Sequence, residues 1–372
     1  MTPSFPQELK EQIVDTLWND RATLKSCSLI SRTFTPPCQR HLFSKIILQS
    51  PRKTDVRWPL EGGSSRNFER LLNVAPHIAE YVACLEIFNP FAGDKPWIVE
   101  ESTLVSCLLH LKHLKALVLN YDPYWESLPE QLRSCLKDAM QLKSLVYVEF
   151  FCPPPPALKF GPNVRHIALL KTYIADPDSF PGMVAQNDTP LLLTSFSVWC
   201  PFAIHDFMSG TTVFSKLTKL VVDLSLIRLE SHGNVWPLIR ACAVLLEEFV
   251  FSPCPALTKD LNVTGAGEII DPSILTSLQR LLVHLTDAIS DPFPWLVSFL
   301  SKLASPLHPL KELTLHISFQ FLGPLLYLSA WKAFSDFILT DPFQKLSKVN
   351  FELSMESPIS EGYSDVTYGI LR

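Results

Sequence analysis

The chain has 372 residues, 47% of them apolar and 19% charged, and a net charge of -5. That composition fills a sizeable core, which excludes a disordered chain, and the acidic balance excludes a general binder of nucleic acid or anionic membrane, since such binders need a basic excess. No apolar run, 321–331 included, approaches the ~20 residues of a spanning helix.

The N-terminus begins with an amphipathic segment where a secretory signal would carry a basic stretch and then a continuous apolar one, so secretion is not expected. Nine cysteines lie at least eleven positions apart with no Cys-x-x-Cys. That spacing fits reduced, buried thiols better than a disulfide framework or a zinc site. The expected location is cytoplasmic or nuclear, with no membrane partner.

Leu9, Ile13 and Leu17 recur every four positions with Val14 beside them, which predicts a helix over about 6–18 with one apolar stripe. Asn19 and Asp20 stop it and offer caps to a second helix, whose inner face is Leu24, Cys27, Ile30 and Phe34 and which Pro36 and Pro37 end. A third short turn covers 38–43. Such stripes are expected either to form the shared core of the helices or to seek a partner, and the two are not exclusive.

Pro6, Leu9, Ile13, Leu17 and Leu24, the run Cys27-Ser28-Leu29-Ile30-Ser31-Arg32, the aromatic Phe34 and the closing Leu42-Phe43 together resemble the F-box, over about residues 4–48. Phe5 stands where that family most often has Leu, and Phe34 where it most often has Trp. The resemblance implies a three-helix unit that docks onto the Skp adaptor of cullin–RING ubiquitin ligases. It places Pro6, Leu9, Ile13, Leu17, Leu24 and Ile30 at the adaptor.

A first strand is expected at 44–48, then a polar, Gly-containing loop at 51–65. The expected division is therefore a helical domain over 1–48, a linker over 49–65 and a third region over 66–372. From Arg66 onward the chain repeats one pattern: apolar, two variable, apolar, one variable, apolar. It starts at Val82, Leu114, Leu142, Val164, Leu193, Leu217, Leu246, Leu278, Leu310 and Leu346, in steps of 22 to 36 residues. Helical segments at 98–109, 128–140, 236–245, 295–303 and 331–339 precede strands. The pattern resembles a degenerate leucine-rich-repeat array, an irregular α/β solenoid with strands on a concave wall and helices on the convex side. No asparagine recurs after the strands, which leaves a plain α/β domain open.

The chemistry-bearing motifs are missing. There is no phosphate-cradling glycine loop, Gly265-Ala-Gly267 lacking a third glycine; His110-x-x-His113 lacks the spacing and glutamate of a zinc-hydrolase helix; and there is no Gly-x-Ser-x-Gly elbow. An enzyme is not expected, nor is a cofactor or metal. The expected function is substrate recognition for a Skp–cullin–F-box type ubiquitin ligase, the repeats holding a protein target and accelerating transfer by proximity. A Skp-binding scaffold without a ubiquitination role, or a cryptic α/β enzyme, is the alternative. Seven cations (Lys115, Lys143, Arg165, Lys219, Arg280, Lys311, Lys348) against four anions (Glu86, Glu247, Glu248, Glu312) fall at variable strand positions. This predicts a mildly basic concave wall, with Lys115, Lys143, Arg165 and Lys219 contacting an acidic or phosphorylated target.

Overall fold

Short strands connected through helices must run parallel, and the alternation in this sequence produces that arrangement twice. The computed structural model describes residues 6–49, 64–89, 97–121, 125–151, 157–170, 184–185, 191–198, 214–224, 235–253, 272–285, 293–303, 308–319, 328–340, 343 and 345–355. They fall into two units, Met1–Val213 and Phe214–Arg372. Most of the predicted linker, 50–63, lies outside the described residues.

The first unit opens with α1 (Gln7–Thr16), α2 (Arg21–Ile30) and α3 (Thr35–Leu42). The prolines act differently from expectation. Helix α2 already ends at Ile30, and Pro36 and Pro37 sit in the first turn of α3, where a missing N–H leaves no hydrogen bond unmade. The strands are β1 (Lys45–Gln49), β2 (Cys84–Asn89), β3 (Ala116–Tyr121), β4 (Tyr147–Phe150), β6 (His166–Leu169) and β8 (Ser195–Val198), paired in that order and all parallel. A separate parallel pair joins β5 (Ala157–Leu158) to β7 (Val184–Ala185). Between strands lie α4 (Ser65–Val74), α5 (Ile78–Tyr81), α6 (Trp97–Glu100), α7 (Thr103–His110) and α8 (Glu130–Met140). Helix α4 packs on α7 and α7 on α8, while α3 packs on α5.

The second unit is a parallel sheet in the order β9 (Lys219–Asp223), β10 (Glu248–Ser252), β11 (Arg280–Leu285), β12 (Glu312–Phe319), β13 (Lys348–Met355). Its helices are α9 (Val235–Cys242), α10 (Phe293–Leu303) and α11 (Leu328–Ile338).

The repeated pattern maps onto one local geometry. Its second and third apolar residues, such as Leu85 and Ile87, Leu117 and Leu119, or Phe249 and Phe251, are buried on one side of the sheet. Its first apolar residue sits two places before the strand, also buried. The backbone between them makes a fixed bracket: the carbonyl of Lys115 accepts from the N–H groups of Val146 (2.8 Å) and Tyr147 (2.9 Å), and those of Ala83, Val146, Arg165, Thr218, Glu247, Gln279 and Lys311 do the same for the next strand along. One sequence position therefore sets the register of each added strand.

In the last repeat Leu346 and Val349 are only half-buried and Phe351 is exposed, and in one other repeat the pattern shifts. The third repeat starts at Leu145 and not at Leu142: Leu145, Val148 and Phe150 are fully buried, and Leu142 is only half-buried. A nearby Gly161 takes up the slack. Its N–H donates to the Met140 carbonyl at 2.8 Å, and a Cβ there would press into the backbone oxygen of Leu142.

Candidate functional site

At the N-terminus the apolar residues separate into two sets. Val14, Leu24, Cys38 and Leu42 form a small core, with Leu17, Cys27, Phe34 and Phe43 packed against it. Polar links hold α1 to α3 and to the turn before it: Gln7 Nε2 donates to the Thr33 carbonyl (3.3 Å), Lys10 Nζ to Thr33 Oγ1 (3.2 Å), and His41 Nε2 lies 2.7 Å from Asp15 Oδ1. Asp20 caps α2, accepting from the Thr23 N–H at 3.0 Å and from its hydroxyl at 2.6 Å.

The second set remains on the surface. Leu9 is 43% exposed, Ile13 45% and Ile30 72%, and Pro6 is exposed as well. Leu9 and Ile13 are one turn apart, so their side chains form one strip on α1. Of the six residues assigned to an adaptor, these four lie on the surface and Leu17 is half-buried. Leu24 is fully enclosed and can only shape the unit from within. The assignment passed over Leu29, the most exposed large apolar residue at 87%, and Trp18 at 52%. The signal was in the sequence: Leu29 and Ile30 are consecutive on a helix, so they point about 100° apart and cannot share the face that already holds Leu24 and Cys27.

The open faces of the sheets carry the polar side chains. In the first unit the registered rows are Lys45–Cys84–Ala116–Tyr147–His166–Ser195 and Ile47–Glu86–Val118–Glu149–Ala168–Ser197. Lys45 pairs with Glu86 at 2.9 Å. Glu149 is 2% exposed and accepts a hydrogen bond from the Tyr147 hydroxyl. Burial pushes the Glu149 carboxyl up to about 7; the Tyr147 hydroxyl opposes the rise, Glu86 adds to it and Lys45 opposes it. Burial likewise pushes the Tyr147 phenol up, with Glu149 adding to it, and the Cys84 thiol to about 11.

In the second unit the first row is Lys219–Glu248–Arg280–Glu312–Lys348. The charges alternate and pair: Lys219 with Glu248 at 2.6 Å, Arg280 with Glu248 at 2.8 Å, Lys348 with Glu312 at 2.7 Å. The Lys348 hydrogen bond holds the Glu312 carboxyl below its ordinary range, and Arg280 on its other side adds to the effect. The next row, Val221–Val250–Leu282–Thr314–Asn350, is mainly apolar.

These rows replace the expected basic wall. Lys219 is on the wall but neutralised. Lys115 and Arg165 stand one residue before β3 and β6, on the rim where strands begin, and the Arg165 guanidinium donates to the carbonyls of Pro162 (2.8 Å) and Val164 (3.0 Å). Lys143 moves furthest: the three-residue slip of its repeat puts it in the turn before β4, where its carbonyl accepts from Asn163 Nδ2 at 2.7 Å. Alternation along a strand sends the residue before the first wall position to the other side, so the rim, and not the wall, collects these cations.

Among the described residues no group of three or more His, Cys, Asp or Glu is arranged to hold a metal ion, and no helix is long and apolar enough to cross a membrane. No protein-family model and no curated protein matches the chain.

Proposed function

We propose that this chain is a receptor subunit of a Skp–cullin–F-box type ubiquitin ligase, with α1 to α3 docking onto the Skp adaptor and the sheet units carrying a protein target. The observation that carries this reading is the surplus of apolar surface on the N-terminal helices. After Val14, Leu24, Cys38 and Leu42 have filled the core, Leu9, Ile13, Leu29 and Ile30 still face solvent. Consecutive helices with this much uncovered apolar side chain gain by closing against a partner. In this reading Leu9, Ile13, Leu29 and Ile30 bury at the adaptor with Pro6 beside them, while Leu17 and Leu24 support them from below. The target meets the rim of the first unit, where Lys115, Lys143 and Arg165 stand, and catalysis is by proximity alone.

Co-purification with the adaptor tests it. Full burial of an apolar side chain contributes about 1.5–3 kcal/mol, so Leu9→Glu with Ile13→Glu is expected to weaken adaptor binding about a hundredfold or more. The pair Leu29→Glu with Ile30→Glu is expected to do the same. All four positions are already exposed, so the variants keep the helical circular dichroism of the parent. Removal of residues 1–48 abolishes binding; an adaptor that binds the truncated chain as well as the full one sinks the proposal. On the target side, Lys115→Glu, Lys143→Glu and Arg165→Glu together are expected to keep the adaptor and lose the co-purifying target, and a triple variant that keeps both removes the rim from the reading.

A further inference from the structure

The inward-facing residues of the second sheet form two rows, Leu220–Phe249–Leu281–Leu313–Val349 and Val222–Phe251–Val283–Leu315–Phe351. On β9 to β12 every one of them is buried. On β13 the seal opens: Val349 is half-buried and Phe351 is 46% exposed, although Trp331 and Phe334 of α11 reach the Phe351 ring, with centroids 5.6 and 6.3 Å away. Strand β13 also stands last in its sheet, and among the described residues no strand pairs with its outer edge. The Lys348 N–H donates toward β12, to the Lys311 carbonyl at 3.1 Å, so alternation along the strand turns the N–H and C=O groups of Val349 and Phe351 to that outer edge. An edge strand of eight residues with an open apolar side is a template for another strand.

We propose that β13 pairs antiparallel with β13 of a second copy of this chain, about a twofold axis at Asn350. Charge selects this occupant and this register. With the axis at Asn350, Lys348 stands directly opposite Glu352 of the second copy, and Glu352 opposite the second copy's Lys348. Both side chains are available on the wall: Lys348 keeps 59% exposure beside its contact with Glu312, and Glu352 is exposed. The alternating row Lys219–Glu248–Arg280–Glu312–Lys348 thus continues across the junction with a carboxylate, opposite in sign as before. On the inward side the same register sets Val349 beside Phe351 of the second copy, so the open end of each core closes on the other. These two residues are the ones whose backbone groups face the edge, and each Val349–Phe351 pair exchanges both of its N–H···O bonds. Moving the axis to Val349 or Phe351 would set Lys348 opposite Asn350 or Ser354 and lose both ion pairs. The contact uses the same patch on each copy and closes at two.

Sedimentation equilibrium of the full chain from about 1 to about 100 µM tests the pairing, alongside Lys348→Glu and Glu352→Lys, each checked by circular dichroism for retained fold. The parent is expected to dimerise as its concentration rises. Either substitution sets two like-charged pairs across the junction and is expected to weaken dimerisation about tenfold or more. Mixing the two variants in equal amounts restores opposite signs at both pairs, so the mixture is expected to dimerise about as well as the parent. A parent that stays monomeric over the whole range, a dimer that both substitutions leave unchanged, or a mixture no stronger than either variant alone overturns the proposal. Dimerisation that appears only once residues 356–372 are removed overturns it too, because it would assign the edge to those residues.

Discussion

Phe251→Ala is expected to destabilise the second unit by about 3–5 kcal/mol, the range for emptying a large aromatic site in a core. Phe251 is fully buried on β10 and its ring sits inside a group of aromatics: Phe249 at 5.5 Å and Phe299 at 6.2 Å, both stacked, and Trp295 at 6.1 Å. Phe249 and Phe251 both come from the strand, and Trp295 and Phe299 are one turn apart on α10, so this group fastens helix to sheet. Truncation removes the ring that all three others touch, and the flanking strands, held in register by backbone brackets, cannot close the space. Hydrogen exchange followed across a urea titration gives the measurement, read on peptides from β9 to β13. A loss below about 1 kcal/mol would mean that the aromatics repack, and the fastening role would be wrong. Phe251→Leu keeps most of the volume and is expected to cost about a third as much.

Glu149→Gln is expected to make the first unit more stable than the parent at pH 8. The carboxyl of Glu149 is raised from 4.5 to about 7 in the fold, with burial the first cause. The folded chain therefore holds this proton more tightly than the unfolded chain. Stability from the group is fully present below pH 4.5 and is lost as pH rises toward 7, by about 1.36 kcal/mol per pH unit, or roughly 3 kcal/mol in all. Above pH 7 the loss is complete and no longer grows. Glutamine has no proton to lose, and its carbonyl still accepts from the Tyr147 hydroxyl. The variant should therefore show a flatter dependence between pH 4.5 and 7, and a gain of up to ~3 kcal/mol at pH 8. Urea midpoints for peptides spanning β4, taken at pH 5 and pH 8, decide the matter. An unchanged slope with pH in the variant would place the titration elsewhere.

Much of the sheet was readable because three apolar positions with a two-and-one spacing are what a strand needs to bury one face and brace its first residue. Leu114, Leu117 and Leu119 show this directly: all three are fully buried. The slip at Leu142 had a physical cause, since Gln141-Leu-Lys-Ser-Leu145 offers apolar residues at both 142 and 145 and the spacing alone cannot choose. What chose was the tertiary bracket from the Lys115 carbonyl, which no local pattern encodes. The helices were legible from their stripes, but the role of Pro36 and Pro37 was not, because a proline pair that ends one helix also suits the first turn of another.

The candidate surfaces were legible by half. Leu9 and Ile13 were visible as part of a stripe, yet whether a stripe residue faces core or solvent depends on which neighbouring helices cover it, whereas Leu29, off the face that holds Leu24 and Cys27, was readable as a surface residue. The charged wall was misread because counting charges along the chain does not show which strands are neighbours. Lys219 and Glu248 lie 29 positions apart in sequence and 2.6 Å apart in space.

The alternating row Lys219–Glu248–Arg280–Glu312–Lys348 also constrains how such a chain can change length. Excising the repeat that carries Glu248 would bring Lys219 beside Arg280, two like charges on adjacent strands, whereas excising the Glu248 and Arg280 repeats together would bring Lys219 beside Glu312 and keep every neighbour opposite in sign. Growth or loss of this array is therefore easiest in steps of two, a parity rule written into one row of side chains.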